Sequence, residues 1–280
     1  MLTASYRAAV LGHPVDHSLS PVLHETAYRH LGLPTWSYGR QDCEEDGLAP
    51  FLAGLDESWR GLSLTMPLKG VALTLAQDVS ATARRARAAN TLIRRTDGGW
   101  DADNTDIHGI ASALAPHLTD PVGDGLILGG GATARSALIA LADLGVQPVH
   151  AAARRPDAAA AELGPLADDI GVALTVGPLD QWGEHHAEVA VSTLPPAGGD
   201  AAATALRGAD GPTVLLDVVY ASWPTPLAQS LIGRGRVVID GLDMLVHQAA
   251  RQVELMTGAV PGAETIEAMA SAARTASGRR

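Results

Sequence analysis

Gly125-Leu126-Ile127-Leu128-Gly129-Gly130-Gly131-Ala132-Thr133-Ala134 is a short apolar run that meets three glycines and then a helix-forming stretch. Apolar residues bounded by glycine read as a buried strand, and helical spacing continues through Leu144. The glycines fit the pattern G-x-G-x-x-A in a strand–turn–helix setting. Such a turn lets backbone approach a pyrophosphate closely and aims the free N–H groups of a helix start at its charge. A plain βα turn would show the same glycines, but the strand before and the helix after favour a dinucleotide site. Its expected residues are Gly129, Gly130, Gly131, Ala132, Thr133 and Ala134.

The next strand bears on which dinucleotide. Val149-His-Ala-Ala-Ala153 runs into Arg154-Arg155, with no Asp or Glu between Asp143 and Asp157. An NAD site usually ends this strand in a carboxylate that holds the ribose hydroxyls. Two guanidiniums there suit a 2′-phosphate through charge-assisted contacts. The alternative, a solvated basic helix start, is electrostatically unfavourable beside the positive end of a helix. NADP(H) is the expected cofactor. Val189 to Ser192, Val214 to Val218 and Val237 to Ile239 supply further strands with helices between them. That alternation describes a Rossmann-type unit.

The segment before it alternates in the same way. Ala8 to Leu11 reads as a strand ending at Gly12. Ser20-Pro21 opens a helix with Val22, Leu23, Ala27 and Leu31 on one side, stopped by Gly32. Strand-like Trp36 to Arg40, helical Leu48 to Leu55, strand Leu62 to Thr65 and a helix from Val71 to Ala76 follow. Asn90 to Arg95 pairs with the segment around Trp100 across Asp97-Gly98-Gly99, a hairpin signal. A helix is expected from about Thr105 to Leu118. Two last helices, Met244 to Thr257 and Ala263 to Ala276, carry apolar stripes (Leu245, Ala249, Val253) that need the first domain as partner. The expectation is an α/β protein of two domains. Residues 1–104 plus 242–280 form one, with a mostly parallel sheet, and residues 105–241 form the NADP-binding one. The chain crosses near Asp106 and Gly241, at the hinge of a cleft.

Composition bounds the partners. The 280 residues are 46% hydrophobic and 18% charged, a globular balance, and with 4% aromatics Ala, Leu and Val must fill the core. A net charge of −11 argues against nucleic acid and anionic membrane. Anionic small molecules would then need sites that are locally positive or rich in N–H donors. Cys43 is the single cysteine, Met1 to Ala9 lacks a signal-peptide pattern, and no apolar run reaches membrane length. A cytoplasmic monomer or homodimer is expected, with Ser277-Gly-Arg-Arg280 a frayed tail. The ten histidines, His185-His186 included, show no ligand spacing, so no metal is expected.

Lys69 is the one lysine against nineteen arginines. A guanidinium stays charged at any working pH, whereas an amine can exchange a proton. Lys69 ends the strand-like run Gly61-Leu-Ser-Leu-Thr-Met-Pro-Leu-Lys69, so it stands at a strand exit, where α/β sites gather. Gly12-His-Pro-Val-Asp-His-Ser18-Leu-Ser20-Pro21 puts two hydroxyls at another strand exit, a ready carboxylate site. Spacing alone makes Ser20 an ordinary N-cap before Pro21, while Ser18 is harder to explain as a cap. Asn90 stands at a strand entrance, and Asp106, in Asp103-Asn-Thr-Asp106, near a helix start. Asp106 would favour the helix dipole or, beside Lys69, hold the amine and share its protons.

In this order and at these separations, the segments resemble the shikimate dehydrogenase family over nearly the whole chain. The resemblance implies an oxidoreductase of aromatic amino acid biosynthesis that reduces 3-dehydroshikimate reversibly with NADPH. It implies Lys69 and Asp106 as the catalytic pair, without deciding which passes the proton on. It implies Ser18, Ser20, Thr65, Asn90, Asp106, Tyr220 and Gln248 as substrate contacts, Tyr220 from Asp217-Val-Val-Tyr220 and Gln248 from Gly241-Leu-Asp-Met-Leu-Val-His-Gln248. Cofactor contacts would come from the glycine turn, Arg154, Arg155, Val218, Gly241 and Met244. Tyr220 could equally be a packing aromatic. The chain departs from the family pattern at Ser63, usually Asn, at Ala153 and Arg155, and at Ser192-Thr-Leu-Pro195. Quinate or an aminoshikimate with NAD, and a non-catalytic NADP-binding sensor, are the alternatives.

Overall fold

The structure, a computed structural model, describes residues 5–206 and 209–278. Residues 1–4 of the N-terminal reading and Arg279 and Arg280 of the tail lie outside them. The chain forms two compact units, one running up to Asp106 and resuming at Val246, the other from Ile107 to Leu245.

The first unit opens with β1 (Tyr6–Gly12), α1 (Ser20–His30), β2 (Trp36–Asp42), α2 (Glu45–Ala53) and β3 (Trp59–Leu64). α3 (Ala72–Leu75), β4 (Asp78–Val79), α4 (Ala81–Ala86), β5 (Thr91–Arg94) and β6 (Trp100–Asp103) complete its first pass. The sheet order is β2-β1-β3-β5-β6-β4, parallel except where β5 runs against β3 and β6. The helix expected over Val71–Ala76 is a single turn. α4 escapes the apolar-period test because six residues are too few to show a stripe; Ser80 caps it by accepting the Ala83 N–H at 3.0 Å. Leu11, Leu48, Leu62, Leu64, Leu92 and Trp100 meet in the core.

The second unit takes in most of α5 (Asp106–Leu114), then β7 (Gly125–Leu128), α6 (Ala132–Asp143), β8 (Val149–Ala153) and α7 (Pro156–Ile170). β9 (Leu174–Pro178), β10 (Val189–Ser192), α8 (Gly199–Ala205), β11 (Val214–Asp217), α9 (Pro226–Ile232) and β12 (Val237–Asp240) follow. The order β12-β11-β10-β7-β8-β9 is wholly parallel and doubly wound, so ligands are expected where β7 and β10 diverge at their carboxyl ends. β9, on the sheet edge, is marked by Leu174-Thr-Val176 between Gly171 and Gly177, an alternation too short to stand out. α5 stops at Leu114 rather than Leu118, in a short 3₁₀ turn containing Pro116, which has no N–H to continue the helix.

α10 (Gly241–Thr257) carries the chain back into the first unit, and α11 (Ala263–Ala276) packs on α1 there, the return expected from its apolar stripe.

Candidate active site

Three backbone segments interlock at the carboxyl ends of β1 and β3. Thr65 N–H donates to Leu11 O at 2.9 Å and His13 N–H to Met66 O at 3.0 Å. Gly12 must be glycine here, because a Cβ would lie 2.2 Å from Thr65 Cγ2 and 2.9 Å from Met66 O. Ala89 N–H donates to the main-chain oxygen of Lys69 at 2.8 Å, which ties the loop before Asn90 to the lysine.

On this frame Lys69 Nζ donates to Asp106 Oδ2 at 2.5 Å. Asp106 is buried and the Lys69 side chain about one-fifth exposed, its amine bonded to the held carboxylate. Asn90 Nδ2 donates to the other oxygen, Asp106 Oδ1, at 2.8 Å and to Gln248 Oε1 at 2.9 Å. Asn104 Oδ1 accepts the Asp106 N–H at 3.0 Å and fixes the start of α5. Lys69, Asn90, Asp106 and Gln248 therefore form one connected cluster. Gln248 comes from the apolar face of α10, where the amide of Asn90 supplies its polar partner.

The serine pair corrects the capping expectation. α1 begins at Ser20 itself, and its preceding residue Leu19 makes no side-chain cap. Ser18 Oγ instead accepts the Ser20 N–H at 3.3 Å and donates to Ser20 Oγ at 3.2 Å. Ser18, Thr65 and Lys69 are partly exposed at the same end of the sheet, while Ser20 is buried.

In the second unit, a cavity of about 270 Å³ lies at the divergence of β7 and β10. Gly129, Gly130 and Gly131 line it after β7, Arg154 and Arg155 after β8, and Thr193, Leu194 and Pro195 after β10. The three glycines differ in what they do. Gly129 has φ +118°, and a Cβ there would meet Thr193 Oγ1 at 2.3 Å. Gly130 lets α7 approach, since its Cβ would lie 2.6 Å from that of Ala159. Gly131 faces open space, with nothing within 4 Å of a Cβ, as backbone that admits a pyrophosphate requires. Ala132 and Thr133 open α6 without lining the cavity, and Ala134 is fully buried, so its part is helix–sheet packing rather than contact. Together the open Gly131 edge and the exposed Arg154 and Arg155 fit a phosphate-bearing dinucleotide.

Val218 and Tyr220 follow β11. The backbone there is held by Asp217, a buried carboxylate that accepts Thr225 Oγ1–H at 2.6 Å and the Val219 N–H at 3.3 Å. Gly241 packs on it so closely that a Cβ would lie 2.1 Å from Val218 O. Met244 is buried one turn further on, and burial pushes the Tyr220 phenol pKa up. Sequence reasoning missed Thr91, Thr105 and Gln252 around Asn90. Gln252 stands one helical turn after Gln248, and two amides at that spacing on an apolar stripe were the available signal.

The fold and the two sites define a two-domain α/β dehydrogenase of the dinucleotide-binding class. Residues 10–92 match the shikimate dehydrogenase substrate binding domain, and residues 241–271 the shikimate 5′-dehydrogenase C-terminal domain. The NADP(+) shikimate dehydrogenase of an Exiguobacterium species is 36% identical over 259 residues, covering 90% of this chain and 93% of its own. The crystal structure of Mycobacterium tuberculosis shikimate dehydrogenase superposes with a TM-score of 0.86 at 42% identity, covering 95% of this chain and 99% of that one. That of Thermus thermophilus shikimate 5-dehydrogenase, in complex with NADP(H) and shikimate, gives 0.81 at 32% identity, covering 97% and 99%. This chain belongs to the shikimate dehydrogenase family.

Proposed function

We propose that the protein interconverts 3-dehydroshikimate and shikimate with NADP(H), and that Lys69 and Asp106 carry the proton. The observation that supports this most is the cluster of Lys69, Asp106, Asn90 and Gln248, an ammonium set among carboxylate and amide groups. The Gly129–Gly131 turn would hold NADPH, whose chemistry when bound would be hydride donation to the C3 carbonyl. Arg154 and Arg155 would hold its 2′-phosphate, and Val218, Gly241 and Met244 would contact its nicotinamide end. Ser18, Ser20 and Tyr220 take the substrate carboxylate; Thr65, Asn90 and Gln248 orient ring hydroxyls, the substrate displacing the Asn90–Gln248 bond while Asn90 keeps its bond to Asp106. As the carbonyl oxygen gains charge, Lys69 offers it a positive neighbour and then a proton, while Asp106 fixes the amine. The sum is 3-dehydroshikimate, NADPH and one proton giving shikimate and NADP⁺.

No helix among the described residues is long and apolar enough to cross a membrane. We infer a cytoplasmic enzyme of aromatic amino acid biosynthesis, acting as a monomer or homodimer.

Shikimate and NADP incubated with the protein should yield NADPH absorbance and a product two hydrogens lighter by mass. Faster turnover of quinate, or of NAD, would reassign the substrate or cofactor. NADP binding with no turnover of any of these acids would leave a binding protein.

A further inference from the structure

Behind Asn90 runs a chain of buried hydrogen bonds whose direction is fixed. Gln252 Nε2 lies 3.1 Å from the main-chain oxygen of Asn90 and 2.9 Å from Thr91 Oγ1. A carbonyl oxygen only accepts, so this end of the Gln252 amide is its NH₂. Its Oε1 then faces Ser63 Oγ at 2.7 Å, and the hydroxyl must donate to it. With its one proton committed, Ser63 Oγ accepts from the Tyr38 phenol at 2.6 Å. In the other direction, Thr91 Oγ1 receives from Gln252 and donates to Asn90 Oδ1 at 2.8 Å. The Thr105 N–H reaches the same oxygen at 2.8 Å.

The outcome is an asparagine with one permitted orientation. Its oxygen is taken by Thr91 and Thr105, and its NH₂ is left for Asp106 and Gln248. A flipped amide would set its oxygen against the Asp106 carboxylate, two acceptors with no proton between them, and its NH₂ against the Thr105 N–H, two donors with no acceptor. Ser63, Thr91 and Gln252 are buried to 4%, 0% and 1% exposure, so no water competes for these bonds. Tyr38 stacks on His24 with ring centroids 3.8 Å apart, and burial pushes its phenol pKa up, which keeps it a donor.

We propose that Gln252, backed by Ser63 and Tyr38, is a positioning residue that locks Asn90 with its NH₂ on Asp106. This rests on the roles of Asn90 and Asp106 proposed above. Gln252 and Ser63 act through Asn90.

The test compares Ser63→Ala, Ser63→Thr and Gln252→Met with wild type, reading kcat and KM for shikimate, NADP affinity and Tm. Ser63→Ala and Gln252→Met should lower kcat/KM about tenfold, mostly in kcat, with NADP affinity unchanged. Ser63→Thr, which restores the hydroxyl, should return to within about twofold of wild type. Kinetic constants within about twofold of wild type in Ser63→Ala, whatever happens to Tm, would reduce the network to packing and overturn the proposal. A second readout needs neither substrate nor cofactor. In protein labelled with ¹⁵N-asparagine, the Asn90 side-chain NH₂, assigned by its contacts to Thr105, should exchange slowly in wild type and much faster in Ser63→Ala. Equal exchange in both would also overturn it. Absence of shikimate turnover in wild type would count against the proposed function instead, and the NMR comparison would still decide the role of Gln252.

Discussion

Lys69 Nζ lies 2.5 Å from Asp106 Oδ2, while the other oxygen of the same carboxylate accepts Asn90 Nδ2 at 2.8 Å. Asp106 thus takes a proton donor on each oxygen, and its symmetry as a double acceptor is what the cluster uses. Asp106→Asn cannot reproduce this. Either its NH₂ faces the ammonium or it faces the amide of Asn90, and one bond is lost in both cases. We expect kcat to fall by about 10²-fold or more, with Tm within a few degrees of wild type. Steady-state rates beside thermal melts check this, and a variant keeping more than half the wild-type kcat would contradict it.

In the proposed function the exposed guanidiniums of Arg154 and Arg155, directly after β8, carry the cofactor preference. Removing both, in Arg154→Ala/Arg155→Ala, should weaken NADP binding by about 10- to 100-fold, the loss of one or two charge-assisted bonds. NAD affinity should hardly move. Titration calorimetry with each cofactor reads the difference, and equal losses for NADP and NAD would show that the arginines do not sense the 2′-phosphate.

The glycine turn predicts two different failures. Gly129→Ala puts a Cβ 2.3 Å from Thr193 Oγ1 at φ +118°, so the fold should lose stability by about 1–3 kcal/mol. Gly131→Ala meets nothing within 4 Å and should melt like wild type, yet bind NADP more weakly because the methyl faces the approach of the pyrophosphate. Melting curves with and without NADP separate them. Unchanged NADP affinity in Gly131→Ala would mean that the pyrophosphate lies elsewhere.

His24 should make stability depend on pH. It is fully buried, and desolvation lowers its pKa from 6.5 to about 4. Its Nδ1–H donates to Ser20 O at 2.9 Å, which leaves Nε2 as the protonation site, with no partner among the described residues. The folded state keeps the ring neutral while the unfolded chain protonates near 6.5. The stability contributed by His24 is therefore present above that pH and is lost as pH falls towards 4. Between pH 7 and pH 5 the loss is about 2 kcal/mol. His24→Phe, which preserves the stack on Tyr38, should flatten urea-unfolding free energies by that amount across these two pH values. His150, lowered to about 4 chiefly by desolvation, will leave some residual slope. A mutant slope equal to that of wild type would remove His24 as the cause.

Most of this architecture is legible because the chain separates its elements with strong punctuation. Gly125-Leu-Ile-Leu-Gly129 is a continuous apolar run and Val149 to Ala153 is broken only by the partly buried His150, as suits strands covered on both faces, and the arginines directly after the second bear on the cofactor. Lys69 stood out by residue type alone. What stayed hidden depends on contacts distant in sequence: the bond from Gln252 to Thr91 spans 161 residues, and no periodicity announces it. Ser63 looked like a mere departure until its two partners, Tyr38 and Gln252, came from other elements. Short elements such as α4 and the edge strand β9 carry only brief local signals, a Ser80 cap and the alternation Leu174-Thr-Val176, and are held in place by the cap and by pairing with β8.

The most direct test is shikimate oxidation with NADP, followed by NADPH absorbance, for wild type and Lys69→Ala, with NADP affinity measured on both. We expect turnover in wild type, a fall of about 10²- to 10⁴-fold in kcat for Lys69→Ala, and unchanged NADP affinity. A Lys69→Ala variant that turns shikimate over within about tenfold of wild type would contradict this.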